Sequence, residues 1–199
     1  MPRRCRVWAP LVVLIALALA ISLVDCDALR GPPPQGPGQA PSASRTSTPL
    51  PAGVSPTRVT VYFPRYFEDG SLGLRGVERT VRADQTARGA LEALIAGPDG
   101  PERALDLEYP LNRRTKILSL GVESGIASVE FGPELAEVRG RPFSELAYWS
   151  IVYTLTDVSE IQGVSLLQAG QPLRNFGYPP VPIPVVAGRV DAPAWVTPR

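Results

Sequence analysis

Histidine is absent from this 199-residue chain, and lysine occurs once, as Lys116. Without histidine there is no imidazole to serve as general base or as neutral metal ligand near pH 7. The two cysteines, Cys5 and Cys26, both fall near the N-terminus, so the rest of the chain has neither a disulfide nor a thiol nucleophile. Together these absences exclude a His-dependent triad, a cysteine protease and the usual zinc sites. An excess of one charge is missing too: 20 Lys and Arg face 19 Asp and Glu, a net charge of +1. That leaves no electrostatic footprint for nucleic acid.

What the chain does have is 44% hydrophobic residues, enough for one core, together with 23 prolines and 18 glycines that are unevenly spread. Arg3, Arg4 and Arg6 precede an apolar run of about 18 residues from Val7 to Val24, near the minimum for spanning a bilayer. Residues 1–26 therefore read as a signal peptide or a membrane anchor. Leu23-Val24-Asp25-Cys26 resembles a bacterial lipobox, which marks Cys26 as a lipidation candidate. Asp25 departs from that pattern, where a small residue precedes the cysteine. Ala18-Leu19-Ala20 offers a simple signal-peptidase site instead. Each route puts the remainder of the chain outside the cytoplasmic membrane, and the expected location is extracytoplasmic and anchored to that membrane.

Residues 27–57 include GPPPQGPGQAPSASRTSTPLPAGVSPT, nearly devoid of large apolar side chains. Such a stretch cannot bury enough surface to offset its ordering entropy and reads as a disordered tether. At ~3.1 Å per residue in polyproline form it would hold a domain tens of ångströms from its anchor.

Residues 58–170 carry the periodic patterns of a folded domain. Arg58 to Phe63 alternates and is rich in β-branched and aromatic residues, the mark of a strand. Glu68 to Ser71 is a turn, Val77 to Val81 a second strand, and Asp84 an expected helix N-cap. Ala87, Leu91, Leu94 and Ile95 share one helical face, with Arg88 and Glu92 an exposed i,i+4 pair. Gly97 to Pro101 ends that helix. Thr115–Val122 and Gly125–Phe131 read as strands joined by a tight hairpin turn. Pro142 opens a long helix reaching about Asp157, and Gly163–Gln168 is the last strand. The order β-β-α-β-β-α-β predicts a single α+β domain, a mixed, largely antiparallel sheet with helices on one face.

These segments, VTVYF, ERTVR, ALEALIAGP, TKILSLGVESGIASVEF and SIVYTLTDVSEIQGVSLLQAG, resemble the GerMN domain of sporulation and germination lipoproteins in order and spacing. The resemblance covers residues 58–170 and stops before the Pro-rich C-terminal extension, residues 171–199. It implies an extracytoplasmic, membrane-tethered, non-catalytic module whose fold is related to ring-building motifs. It implies work in envelope assembly during sporulation or germination, with envelope proteins or further copies of itself as partners. The alternative is a lipoprotein that binds peptidoglycan or another wall polymer.

On the long helix, Ala147, Ile151, Thr154, Leu155 and Val158 fall within about 100° of one another and form the face expected to pack on the sheet. Leu146, Trp149 and Tyr153 lie at i, i+3 and i+7 on nearly the opposite side. Two coverings are open. The extended apolar segment Tyr178–Val186 folds back over them, or they form a partner-contact patch, for which Trp and Tyr are suited. Catalytic candidates are sparse. Lys116 and Ser119 on one strand are expected to point to opposite faces. Glu130, Glu134, Glu137 and Glu145 are acidic without any supporting pattern for glycoside hydrolysis. Asp69-Gly70 lacks the other positions of a calcium loop, and Ser71-Leu-Gly has no phosphate-binding context. The sequence thus implies no cofactor, no metal and no enzyme.

Overall fold

The computed structural model describes residues 55–199. The leader, Cys26 and nearly all of the tether lie outside the described residues. Among those described, no helix is long and apolar enough to cross a membrane.

Strands β1 (Pro56–Tyr66) and β2 (Leu72–Arg82) form an antiparallel hairpin in unbroken register, from Pro56↔Arg82 to Tyr66↔Leu72. Alternation sets its inner face, where Val59, Val61 and Phe63 are buried. Strand β2 begins five residues before the expected Val77 because Gly73 and Gly76 hide it from propensity. A Cβ at Gly73 would strike the Phe67 ring, and one at Gly76 would strike Thr60 and Tyr62. These glycines are close-packing positions rather than breakers. The hairpin turn closes through Asp69, whose carboxylate accepts from the Ser71 N–H at 2.9 Å.

Helix α1 (Thr86–Ala96) buries Ala90, Leu91, Leu94 and Ile95, close to the expected face. The Arg88–Glu92 pair forms at 3.7 Å. Asp84, however, does not cap the helix. The cap position is Gln85, without a side-chain bond, and a 3-10 turn over Ala83–Gln85 precedes it. Arg82, at the end of β2, takes both carboxylate oxygens of Asp84 at 3.1 and 2.8 Å. Gly97 ends α1 at φ 81°, its N–H reaching the carbonyls of Ala93 and Leu94. A one-turn helix, α2 (Gly100–Arg103), follows with a complete capping box between Asp99 and Glu102. Glu102 also pairs with Arg79 of β2.

Strands β3 (Ile117–Glu123) and β4 (Ile126–Phe131) are antiparallel, and β5 (Gly163–Gln168) joins β4 in parallel. Their connection is α3 (Arg141–Leu155), with Pro142 in its first turn. Ala169-Gly170 then turns the chain into β6 (Gln171–Pro172), which pairs with β5. The last short strands, β7 (Asn175–Phe176) and β8 (Val181–Pro182), form a ribbon. The α+β order is the one expected. Its strands are distributed over a β1–β2 hairpin, a β3–β4–β5–β6 sheet and the β7–β8 ribbon.

The main revision concerns α3. It is a central helix, not a surface helix with one inner face. Ser144 and every residue from Leu146 to Leu155 are buried. One side meets β5, another meets β1 and α1, and β7 and β8 cover a third. Residues 171–199 are therefore part of the packed body: Phe176, Val181, Ala187 and Val196 are all buried. Ala187 exchanges two backbone hydrogen bonds with Val164 of β5, at 2.8 and 3.0 Å.

Candidate functional site

The residues singled out as a contact patch are closed off. Leu146 is fully buried, and Trp149 and Tyr153 are each 7% exposed. The covering is the C-terminal strap. Val181, Pro182, Ile183, Pro184 and Pro193 stand across a groove of about 330 Å³ from Tyr148 and Trp149. Tyr153 packs on the other side, its ring 5.4 Å from that of Tyr62 in β1. The patch reading needs exposed area on this side of α3, and the strap and β1 leave almost none. Tyr148 is buried with its hydroxyl unpartnered among the described residues. Burial, and secondarily the nearby Asp191 carboxylate, push the Tyr148 phenol well above its usual range.

A polar latch holds the strap to the end of α3. Asp157 leaves the helix and accepts the Thr60 N–H of β1 at 2.8 Å. Its other oxygen receives Arg189 of the strap at 3.1 Å. The same guanidinium donates to the Tyr153 carbonyl at 3.0 Å and to the Thr156 hydroxyl at 2.9 Å. It also lies 5.5 Å from the Tyr62 ring centre and 5.3 Å from that of Tyr153. Burial pulls the Asp157 carboxyl upward, but the Thr60 hydrogen bonds and Arg189 outweigh it and hold the group below its ordinary value. Burial also raises the Tyr62 phenol. Two residues further along β1, the Thr154 hydroxyl accepts the Tyr62 N–H at 3.0 Å. Asp157 and Thr154 thus satisfy two N–H groups on the outer edge of β1, where no strand pairs among the described residues. Nothing in the spacing of the sequence links positions 60, 157 and 189, so the latch was not legible there.

Beside the latch lies a cleft of about 690 Å³, between the start of β1, the first turn of α1, β3 and the loop after α3. Its floor includes Val59, Leu120, Val122 and Ile161, and charged residues of both signs stand around it. Among the described residues, the buried side-chain polar atoms that lack a partner belong to Arg65, Thr115, Glu134, Ser144 and Tyr148, and none of these residues lines this cleft.

The catalytic candidates do not converge. Glu130 accepts the Gly170 N–H, Glu137 bonds Asn112, and Glu145 pairs with Arg141. Glu134 stands apart with one oxygen buried and unpartnered. Lys116 and Ser119 need a correction. The register of β3 shifts between Ile117 and Ser119, and such a bulge resets the alternation on which their separation to opposite faces rested. Both are exposed, and no hydrogen bond joins them among the described residues. Arg113 lies over the Tyr109 ring and Arg114 approaches Glu137, so the basic pair before β3 is a solvated surface. Among the described residues there is also no cluster of three side chains fit to hold a metal ion.

Residues 60–174 match the Germane family, described as sporulation and spore germination. The chain belongs to the Germane family. Among solved structures it is similar to the first GerMN domain of the sporulation protein GerM from Bacillus subtilis. That likeness has 22% identity, a TM-score of 0.51, and coverage of 67% of this chain and 99% of that one. The tandem GerMN domains of the same protein are 21% identical at a TM-score of 0.46, over 69% of this chain and 49% of that one. A candidate lipoprotein from Clostridium perfringens is 21% identical at a TM-score of 0.48, over 68% and 89% of the two chains. A comparison with curated proteins finds none that matches.

The likeness to the first GerMN domain shows the fold. Within the Germane match lie helices α1 to α3, strands β2 to β6, and both Thr154 and Asp157. The match ends before β7, so Arg189 and the covering strap fall beyond it.

Proposed function

We propose that this chain is an exported, membrane-tethered, non-catalytic binding and assembly module of the bacterial cell envelope, acting in sporulation or germination. The observation that carries this reading is the Germane match across residues 60–174. The basic and apolar leader with Cys26 supports export and anchoring. The scattered, individually bonded carboxylates support a binding role rather than hydrolysis. The 690 Å³ cleft and the exposed β3–β4 hairpin are the surfaces open for such binding.

The test uses the full chain in membranes of the organism that makes it. Chemical cross-linking and purification should yield a defined envelope protein or a multimer of this chain. Deleting the protein should lower the yield of heat-resistant spores or slow their germination. Retention on purified peptidoglycan with no protein partner would replace this reading with the wall-polymer alternative. A cytoplasmic location, shown by protection from external protease in intact protoplasts, would refute both.

A further inference from the structure

The strands differ in how their free edges are covered. Asp157 and Thr154 occupy the outer edge of β1, and Pro64 lacks an N–H there. The C-terminal Arg199 N–H bonds the Leu74 carbonyl on β2. Beyond β5, β6 and Ala187 take the free groups. Strand β3 ends its sheet, and nothing among the described residues bonds its outer edge. Its hairpin also carries three of the exposed large apolar residues, Leu118 at 56%, Val122 at 39% and Ile126 at 37%. No proline interrupts β3, and its one charged residue is Glu123. Natural edges of this kind are normally blunted.

Gly121 sits in the middle of this edge with no close neighbour among the described residues to require it. A Cβ there would meet nothing within 4 Å, and its φ is not in the left-handed region. A glycine within a strand weakens it and often marks the close approach of another backbone. The Ser124–Gly125 turn, with φ of 50° and 78°, makes Glu123–Ile126 the hydrogen-bonded pair that closes the hairpin. Alternation then leaves the N–H and C=O groups of Leu120 and Val122 pointing outward.

We propose that β3 pairs antiparallel with β3 of a second copy of this chain, about a two-fold axis at Gly121. This register is self-complementary. Leu120 of each copy faces Val122 of the other and exchanges both backbone hydrogen bonds with it. Ser119 faces Glu123, so a hydroxyl meets a carboxylate and no like charges oppose. Gly121 meets Gly121 at a non-hydrogen-bonded position, where Cα atoms approach to about 4.5 Å. The pairing rests on the assembly reading above and supplies its surface. A few residues of strand bury less than a stable solution interface needs, about 1,000 Å². Confinement of tethered copies to one membrane raises their effective concentration and makes such a weak contact effective.

The test is oxidative cross-linking of the full chain in membranes, with the native Cys5 and Cys26 giving the baseline. Two-fold pairing brings Gly121→Cys within disulfide reach, whereas Ser128→Cys, its cross-strand neighbour on β4, stays about 14 Å from its mate. The expected result is a dimer from Gly121→Cys at least about five-fold above baseline, and none above baseline from Ser128→Cys. Adding Val122→Asp to Gly121→Cys should return the dimer to baseline with an unchanged circular dichroism spectrum. Equal linking at both positions, linking at neither, or indifference to Val122→Asp overturns the proposal. A Gly121→Cys product with a different protein also overturns self-pairing, yet leaves the assembly reading standing. That reading fails by a separate result, when membrane cross-linking of the wild-type chain gives neither a multimer nor a defined partner.

Discussion

Removing the guanidinium of Arg189 tests whether the latch holds the strap on α3. Arg189→Ala deletes the contact with Asp157 at 3.1 Å, the bonds to Tyr153 and Thr156 at 3.0 and 2.9 Å, and two ring contacts. Side-chain exposure of 39% for Arg189 and 24% for Asp157 places the ion pair in well-screened surroundings. The pair itself should therefore couple by about 1 kcal/mol. The two other hydrogen bonds add about 1 kcal/mol each before side-chain ordering is subtracted. The net expectation for Arg189→Ala is a loss of about 2–3 kcal/mol, a melting temperature lower by roughly 5–10 °C. Asp157→Ala should cost a similar ~2–3 kcal/mol by a different route, because the Thr60 N–H on the edge of β1 loses its acceptor.

The assay is urea unfolding of wild type, both single variants and the double variant, followed by tryptophan fluorescence. Trp149 under the strap and Trp195 within it both report on the strap's seat. The double variant should be less destabilised than the sum of the singles by about 1 kcal/mol. A cost below about 0.5 kcal/mol for Arg189→Ala, or a coupling of zero, would refute the latch. The strap would then be held by its apolar seats at Val181, Ala187 and Val196 alone.

Three further outcomes follow from the same packing. The Asp157 carboxyl is held below its usual value of 3.8, so its stabilisation is complete above that pH and is lost as pH falls through the lower, folded value. Acid unfolding curves of Asp157→Asn should show a shallower fall below about pH 4 than wild type. Tyr148→Phe removes a buried hydroxyl with no partner and should leave stability unchanged or raise it by up to ~1 kcal/mol in urea unfolding. It should also reduce alkaline destabilisation, because a phenol whose folded pKa is raised loses its contribution as pH climbs above the unfolded value of 10.0. Leu146→Ala and Trp149→Ala should each cost roughly 2–5 kcal/mol in urea unfolding. Wild-type stability in either variant would restore the reading of these side chains as an open contact surface.

Much of the fold was legible because local signals and tertiary packing agree over most of it. Alternation in VTVYF and IASVEF, the glycine exit at Gly97, Pro142 in the first turn of α3 and the turns at Ser124-Gly125 and Ala169-Gly170 each point to one structure. Where the reading slipped, a nonlocal partner had overridden a local preference. Asp84 has the chemistry of a cap, but Arg82 holds both its oxygens. Gly73 and Gly76 look like breakers, and only the rings and methyl group lying over them explain their place in β2. The capping box of α2 was the exception, since Asp99, Pro101 and Glu102 spell it locally.

The deeper lesson lies in LAYWSIVYTL, residues 146–155. A helical wheel divides it into two apolar sides, which invites the second to be read as a surface for a partner. Its only polar members are Ser150 and Thr154, besides the phenols of Tyr148 and Tyr153, and neither hydroxyl needs solvent. Ser150 returns its hydroxyl to the Leu146 carbonyl at 2.8 Å, and Thr154 accepts from β1. A helix apolar on every side is a buried helix. That property requires a cover, and Tyr178–Val186, with Val181 and Ile183, is an apolar segment of the chain able to supply one. The periodicity was sufficient to say that the stripe must be covered. Choosing between a strap and a partner required the distances between α3, β1 and Arg189, which no pattern within the helix encodes.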